Sequence, residues 1–255
     1  MLLYFWFTEC ATMNLIVDVG NTLSKVAVFQ QDELIRKYVF EKDELPKKMK
    51  EIFLDYPQIS AVIVSKVSEA DLSFPQDLRE KARIITLGAE TLLPFENLYA
   101  TPQTLGDDRK ALVAAAVKEY PGRNVLVIDA GTCITYDFKN SGEQYLGGAI
   151  SPGLKMRFKA LNSFTANLPL VEFQEENKLI GDSTLSSINS GVVWGAVKEI
   201  DGVIEEYKQR YPNLVTIITG GDAQFLSINL KNSIFANSNF LLEGLNHILE
   251  FNISR

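Results

Sequence analysis

Along Leu15 to Phe29 the chain reads LIVDVGNTLSKVAVF, a run of strand-forming residues broken by an aspartate, a glycine and small polar residues before it resumes. The pattern recurs at Leu126 to Phe138, LVIDAGTCITYDF, where an aspartate again closes an apolar run and Gly-Thr turns the chain. Periodicity predicts strands at 14–18, 24–30 and 34–40, then a helix over 43–55 with Leu45, Met49, Ile52 and Phe53 on one face and the lysines of PKKMK on its solvated side. The β-branched runs at 61–67 and 83–87 read as buried strands separated by a helical stretch, and 107–120 as an alanine-rich helix.

After Pro121-Gly122 the pattern starts afresh. Strands are expected at 124–129, 133–138 and 144–150, a helix from about 153, a long helix over 183–209, a strand at 214–219, and two more helices around a strand at 233–236. This is αβ alternation in which an antiparallel hairpin opens each half. Asp18 and Asp129 lie about one domain's length apart. The expectation is one unit used twice, with two related domains each offering an acidic turn to a shared cleft. The expected divisions are an N-terminal extension at 1–12, either an over-extended translation start or a loose tail, and domains at 13–122 and 123–255.

Composition narrows the function classes. A 46% hydrophobic and 22% charged chain of 255 residues is ordinary for a globular protein. The net charge of −7 offers no basic face for nucleic acid or anionic membranes. Two cysteines, Cys10 and Cys133, are too few for a disulfide framework or a zinc site, and the one histidine, His247, sits in the apparent C-terminal helix NFLLEGLNHILEF, which gives a Ser-His or Cys-His pair little support. The apolar opening MLLYFWF is too short to span a bilayer and lacks a basic leader.

Asp, Asn and Gly are common in any hairpin turn for local reasons. Two copies at matching positions in matching halves point further. A glycine turn exposes backbone N–H groups and admits a phosphate, while a carboxylate at the strand end fits only if a cation lies between them. Hard oxygens hold Mg²⁺ directly or through water, and the metal meets the phosphate. Asp18, Gly20, Asn21 and Thr22, with Asp129, Gly131 and Thr132, are thus expected to clamp the polyphosphate of a nucleotide. GGAISPG at 147–153 and TGGD at 219–222 end strands and lead into helices, a suitable place for phosphate or nucleoside contacts. The Walker A pattern, a dinucleotide Gly-x-Gly-x-x-Gly and the protein-kinase catalytic loop are missing.

In TLGDDRKAL, at 104–112, a glycine, two acids and an arginine open a helix. The acids suit the helix dipole. In a cleft, one of them would accept a proton from an attacking hydroxyl while the arginine neutralises charge. The residues themselves leave Asp107 and Asp108 as alternatives.

Taken in order, DVGNT with Lys25, Tyr99 with TLGDDR, DAGTCIT, GGAISPG, ANLP at 166–169, DSTLSSINSG at 182–191, TGG and LLEGL run from Asn14 to about Leu245. Together they resemble the type III pantothenate kinase family of the acetate and sugar kinase, heat-shock cognate and actin superfamily. Cys133 departs from it, standing where a small residue is common, and the extension before Met13 has no expected counterpart. The resemblance implies an α/β fold of two duplicated ribonuclease H-like, actin-like ATPase domains with mixed sheets flanked by helices. It implies ATP-dependent phosphorylation of pantothenate to 4'-phosphopantothenate, the first step of coenzyme A synthesis, in a cytoplasmic homodimer. Asp18, Val19, Gly20, Asn21, Thr22, Leu23, Ser24 and Lys25 would form the first ATP-binding element, with Asp18 near Mg²⁺. Asp129 would hold a monovalent cation, K⁺ or NH₄⁺, and Thr132 would contact ATP. Asp108 would be the proton acceptor. Tyr99, Gly106, Asp107, Asp108, Arg109 and Thr184 would contact pantothenate, Thr184 reaching the neighbouring subunit's site.

Two rivals share this superfold: a sugar or acetate kinase, and a non-catalytic regulator akin to accessory transcription factors. Intact Asp18, Asp108 and Asp129 argue against the regulator, because binding alone has no chemical need for all three.

Overall fold

The computed structural model describes residues 13–20, 23–66, 80–174 and 178–254, and places them in two compact units. The first unit comprises the chain up to Pro94, residues 101–115 and residues from 242 onward; the second comprises 95–100 and 116–241. The extension at 1–12 and most of the helical stretch expected before residue 83 lie outside the described residues.

In the first unit, β1 (Met13–Val19), β2 (Leu23–Gln30), β3 (Glu33–Glu41), β4 (Ile59–Lys66) and β5 (Arg83–Thr86) form a sheet in the order β3-β2-β1-β4-β5. β1, β2 and β3 pair antiparallel; β1, β4 and β5 pair parallel. Leu15, Val17, Val19, Val26 and Val28 bury one face of the sheet against Leu45, Met49 and Ile52 of α1 (Leu45–Asp55). Each such side chain contributes about 1.5–3 kcal/mol of transfer free energy. The helix expected from 43 begins at 45, because Lys42–Glu44 form a separate 3-10 turn and Pro46, lacking an N–H, suits the first turn of α1.

The second sheet has the order β11-β10-β7-β8-β9-β6. Its strands are β6 (Glu96–Asn97), β7 (Val125–Ala130), β8 (Cys133–Lys139), β9 (Gln144–Pro152), β10 (Val215–Thr219) and β11 (Phe235–Ala236). β7, β8 and β9 are antiparallel, and β10 and β11 continue parallel to β7. The order β9-β8-β7-β10-β11 therefore repeats β3-β2-β1-β4-β5, sense for sense, and the expected duplication holds. β6, absent from the sequence expectations, adds a parallel edge strand beside β9. One face of this sheet, including Leu126, Ile128, Ile134, Tyr136 and Phe138, packs against the apolar stripe of a long helix at Val192, Val193, Ala196, Val197, Ile200 and Ile204.

Four more helices follow from the patterning: α2 (Asp107–Glu119), α3 (Leu154–Ser163), the long α4 (Thr184–Arg210) and α5 (Ala223–Asn229). α6 (Phe240–Ile253) completes the described helices. In α6, Asn246 accepts a hydrogen bond from Asn14 of β1 at 2.9 Å and donates to the Gln31 carbonyl at 2.8 Å. Gly244 lies against the α2 backbone so closely that a Cβ would stand 1.8 Å from the Ala111 carbonyl oxygen. Only glycine permits that approach.

Candidate functional site

In the first unit, the β1–β2 hairpin closes through Gly20 N–H donating to the Leu23 carbonyl at 3.1 Å, and a Cβ at Gly20 would sit 2.8 Å from that same oxygen. Register places Asp18 opposite Lys25 on β2 and opposite Ser65 on β4, so the three share a sheet face. Asp18 is buried, and burial raises its carboxyl to about 6; the Lys25 ammonium pulls it down, the Asp108 carboxylate pushes it up, and the Ser65 hydroxyl pulls it down. Ser65 Oγ is itself buried without a well-formed hydrogen bond among the described residues, so it sits beside the carboxyl rather than tightly bound to it. Val19 and Ser24 belong to the opposite face, against α1, and their side chains do not join Asp18. Leu23 is half exposed at the start of β2, and Asn21 and Thr22 lie outside the described residues.

The start of α2 separates the two acids that the sequence left as alternatives. Asp107 pairs with Lys110, Oδ1 to Nζ at 2.9 Å, one helical turn along. Asp108 has no ion pair among the described residues; its Oδ1 accepts from the Arg109 N–H at 2.8 Å and curls over Gly106. A Cβ at Gly106 would come within 2.4 Å of that oxygen, so any other residue there would push the Asp108 carboxylate aside. Arg109 is buried. Sequence reasoning passed over Lys37 on β3, which lies on the Lys25 face, two residues along from Lys25's partner Val39. Its ammonium is pushed down by burial and by Lys25, against the pull of Glu243. The signal was the period of two along β3, which puts Lys37 on the same face as Val39.

In the second unit, Asp129 lies one residue from the end of β7, opposite Thr135 of β8 and Thr219 of β10. The turn after it closes through Gly131 N–H to the Cys133 carbonyl at 2.9 Å. Two later glycines press on it. Gly153 donates to the Thr132 carbonyl at 3.1 Å, and a Cβ there would lie 2.2 Å from the Gly131 oxygen. Gly220, with φ +98, has Asp129 Oδ1 and the Ala130 oxygen each 2.4 Å from where a Cβ would be. Thus DAGT, SPG and TGGD, distant in sequence, meet at one turn, with Gly220 against the Asp129 carboxylate itself. Asp222, whose N–H donates to the Ala130 carbonyl at 2.9 Å, has its carboxyl raised by burial, against the pull of Lys155.

The same unit holds Tyr99 and Thr184. Tyr99 is half-buried, its ring 5.9 Å from that of Tyr145 in a stacked arrangement, over Gly147. Thr184 is exposed in the first turn of α4, which is capped by Ser183 accepting from the Ser186 N–H at 3.2 Å. The structure thus groups Asp18, Lys25, Gly106, Asp107, Asp108 and Arg109 in the first unit, and Tyr99, Asp129, Thr132 and Thr184 in the second. Among the described residues no three His, Cys, Asp or Glu side chains cluster as a metal cage, and no helix is long and apolar enough to cross a membrane.

Comparison with known proteins adds to the geometry. The sequence profile described as type III pantothenate kinase matches residues 14–206. A type III pantothenate kinase of Christiangramia forsetii is 56% identical over 240 residues, covering 94% of this chain and 99% of that protein. Its counterparts in Flavobacterium johnsoniae and Bacteroides fragilis are 48% and 41% identical over similar spans. Among solved structures, a Campylobacter jejuni protein assigned to the Baf family of transcriptional activators superposes with a TM-score of 0.61 at 23% identity, covering 94% of this chain and all of that one. A ROK hexokinase from Thermus thermophilus superposes at 0.53 with 12% identity, covering 95% of this chain and all of that one. At such identities these two speak for the fold alone.

Proposed function

The chain belongs to the type III pantothenate kinase family, and from that membership we propose how its residues divide the transfer of a phosphoryl group from ATP to pantothenate. The observation that carries this reading is the unequal treatment of three acids in the first unit. Asp18 is buried beside Lys25, Asp107 is tied to Lys110, and Asp108 is free of any ion pair among the described residues. A general base needs an unpaired carboxylate, and of the two acids that open α2 it is Asp108, not the lysine-tied Asp107, that meets that need.

Phosphoryl transfer passes through a loose, charge-rich transition state, so alignment and cation placement dominate. Asp108 accepts the proton of the pantothenate hydroxyl and aims its oxygen. Arg109, with Tyr99, Gly106, Asp107 and Thr184, holds pantothenate; a guanidinium suits its carboxylate. The turn from Asp18 to Lys25, with Thr132, binds ATP, the Lys25 ammonium offsetting phosphate charge. The donor set fits a divalent cation at Asp18, because a carboxyl forced up by burial and by a neighbouring carboxylate is relieved by a positive ion. Mg²⁺ is usually held by one or two carboxylates together with substrate phosphates. Asp129, with the Ala130 carbonyl close by, offers hard oxygens suited to K⁺ or NH₄⁺. When bound, these cations neutralise phosphate charge. A reaction that spends ATP on a soluble vitamin is expected in the cytoplasm.

A homodimer is also proposed. Exposed apolar side chains, Leu179, Ile180 and Leu185, flank Thr184 at the start of α4, as a surface meant for a second copy would have them. The functional test is ADP release with pantothenate, a hexose or acetate as acceptor, in K⁺ and in Na⁺. Turnover with pantothenate alone, stimulated by K⁺ in the native enzyme and insensitive to it in Asp129→Ala, is the expected result. Turnover with hexose or acetate would reject the substrate, and equal rates in Na⁺ would reject the cation role of Asp129.

A further inference from the structure

A buried polar chain runs along one face of the second sheet, behind the ring of Tyr99. Tyr145 of β9 is wholly buried, and its hydroxyl donates to Asp137 Oδ1 at 2.7 Å. The other oxygen of Asp137, a fully buried carboxylate, accepts from Thr135 Oγ1 at 3.1 Å. Thr135 stands directly opposite Asp129. The Tyr145 ring stacks on that of Tyr99 with 30° between the planes, and Phe95 meets Tyr145 edge-on from the same segment, at 6.2 Å.

This arrangement depends on a local irregularity. The β8–β9 register shifts between Phe138 and Lys139, so that Phe138 faces Gly147 while Lys139 faces Tyr145. Gly147 has φ +110, and a Cβ there would lie 3.4 Å from the Tyr99 ring. A bulge of this kind re-aims a side chain. Burying a tyrosine hydroxyl and a carboxylate is costly unless they are bonded, and here each satisfies the other. The Tyr99 loop joins the sheet through the two-residue strand β6 and through the Leu98 N–H, which donates to the Tyr145 carbonyl at 3.0 Å. The same residue, Tyr145, thus holds the loop by its backbone and meets the Tyr99 ring with its own.

We propose that Tyr145, locked in place by Asp137, is a positioning residue for pantothenate: it fixes the ring of Tyr99 from behind without touching substrate. This rests on the reading of Tyr99 as a pantothenate contact. Removing only the hydroxyl frees the Tyr145 ring to shift; removing the ring takes away the platform.

The test compares Tyr145→Phe, Tyr145→Leu and Tyr99→Leu in steady-state assays, each with a thermal melt. In Tyr145→Phe the KM for pantothenate is expected to rise about two- to tenfold, the range one intramolecular hydrogen bond is worth, with kcat and the KM for ATP unchanged. Tyr145→Leu is expected to raise it further, and Tyr99→Leu combined with Tyr145→Phe to be no worse than Tyr99→Leu alone. If both KM values move together with the melting temperature, Tyr145 is merely structural and the proposal is overturned. If Tyr99→Leu raises the pantothenate KM but neither Tyr145 variant does, the proposal is likewise overturned while the Tyr99 assignment stands. If Tyr99→Leu itself leaves pantothenate binding intact, the assignment of Tyr99 falls, and the proposal with it.

Discussion

Asp18 shows how a single side chain carries both strain and function. Its carboxyl is raised from 3.8 to about 6, chiefly by burial. The folded chain thus holds this proton more tightly than the unfolded chain does. The group opposes folding least below about pH 4, and its cost grows as pH rises and is fully present above 6. Asp18→Asn should therefore stabilise the protein, in EDTA and without nucleotide, by up to about 3 kcal/mol at pH 7.5, following from a shift of about two units at 1.36 kcal/mol each. The gain should vanish near pH 3.5. Chemical denaturation of both proteins across that range checks it; a variant less stable at every pH would contradict the burial argument. In the proposed function, relief of this burial cost is what a cation at Asp18 would supply. The Asp107–Asp108 choice belongs to the same scale. Both acids suit the first turn of a helix, and what separates them is a lysine one turn on and a glycine beneath, contacts that spacing hints at but only the folded chain makes.

At the level of elements, the hairpins were legible because a strand that alternates faces leaves a signature in sequence, and β1, β2, β7 and β8 fall where periodicity puts them. Less legible were features that depend on who packs against whom. β6 is two residues long and has no period to detect. The bulge at Gly147 looks in sequence like one more glycine of GGAISPG. The glycine of LLEGL likewise had a motif but no reason until α6 was seen against α2, where Asp108 sits. Gly244→Ala would gain about 1 kcal/mol of helix propensity yet drive a methyl into the Ala111 carbonyl. Overpacking typically costs about 1–3 kcal/mol, and a clash this close calls for the upper end or more. The expected outcome is a lower melting temperature together with reduced turnover, as α2 shifts; an unchanged melt would mean that the two helices yield at no cost.

For the molecule as a whole, topology repeats while the chain does not simply divide in two. The last helix returns to the first unit, and residues 95–100 go to the second. Such exchanges arise from tertiary packing, which leaves no periodic trace in the residues concerned. Assembly is the other property of this scale. Ile180 is 82% exposed and Leu185 is 51% exposed, beside Thr184. Ile180→Glu with Leu185→Glu should convert the proposed dimer to monomers in sedimentation velocity and weaken pantothenate turnover; an unaltered sedimentation coefficient would move the interface elsewhere. The catalytic assignment meets its most direct test in Asp108→Asn, which keeps the shape of the side chain and removes its capacity to take a proton. ATP binding should persist while kcat falls by at least about 10²-fold; an enzyme turning over pantothenate at a near-normal rate would contradict Asp108 as the base.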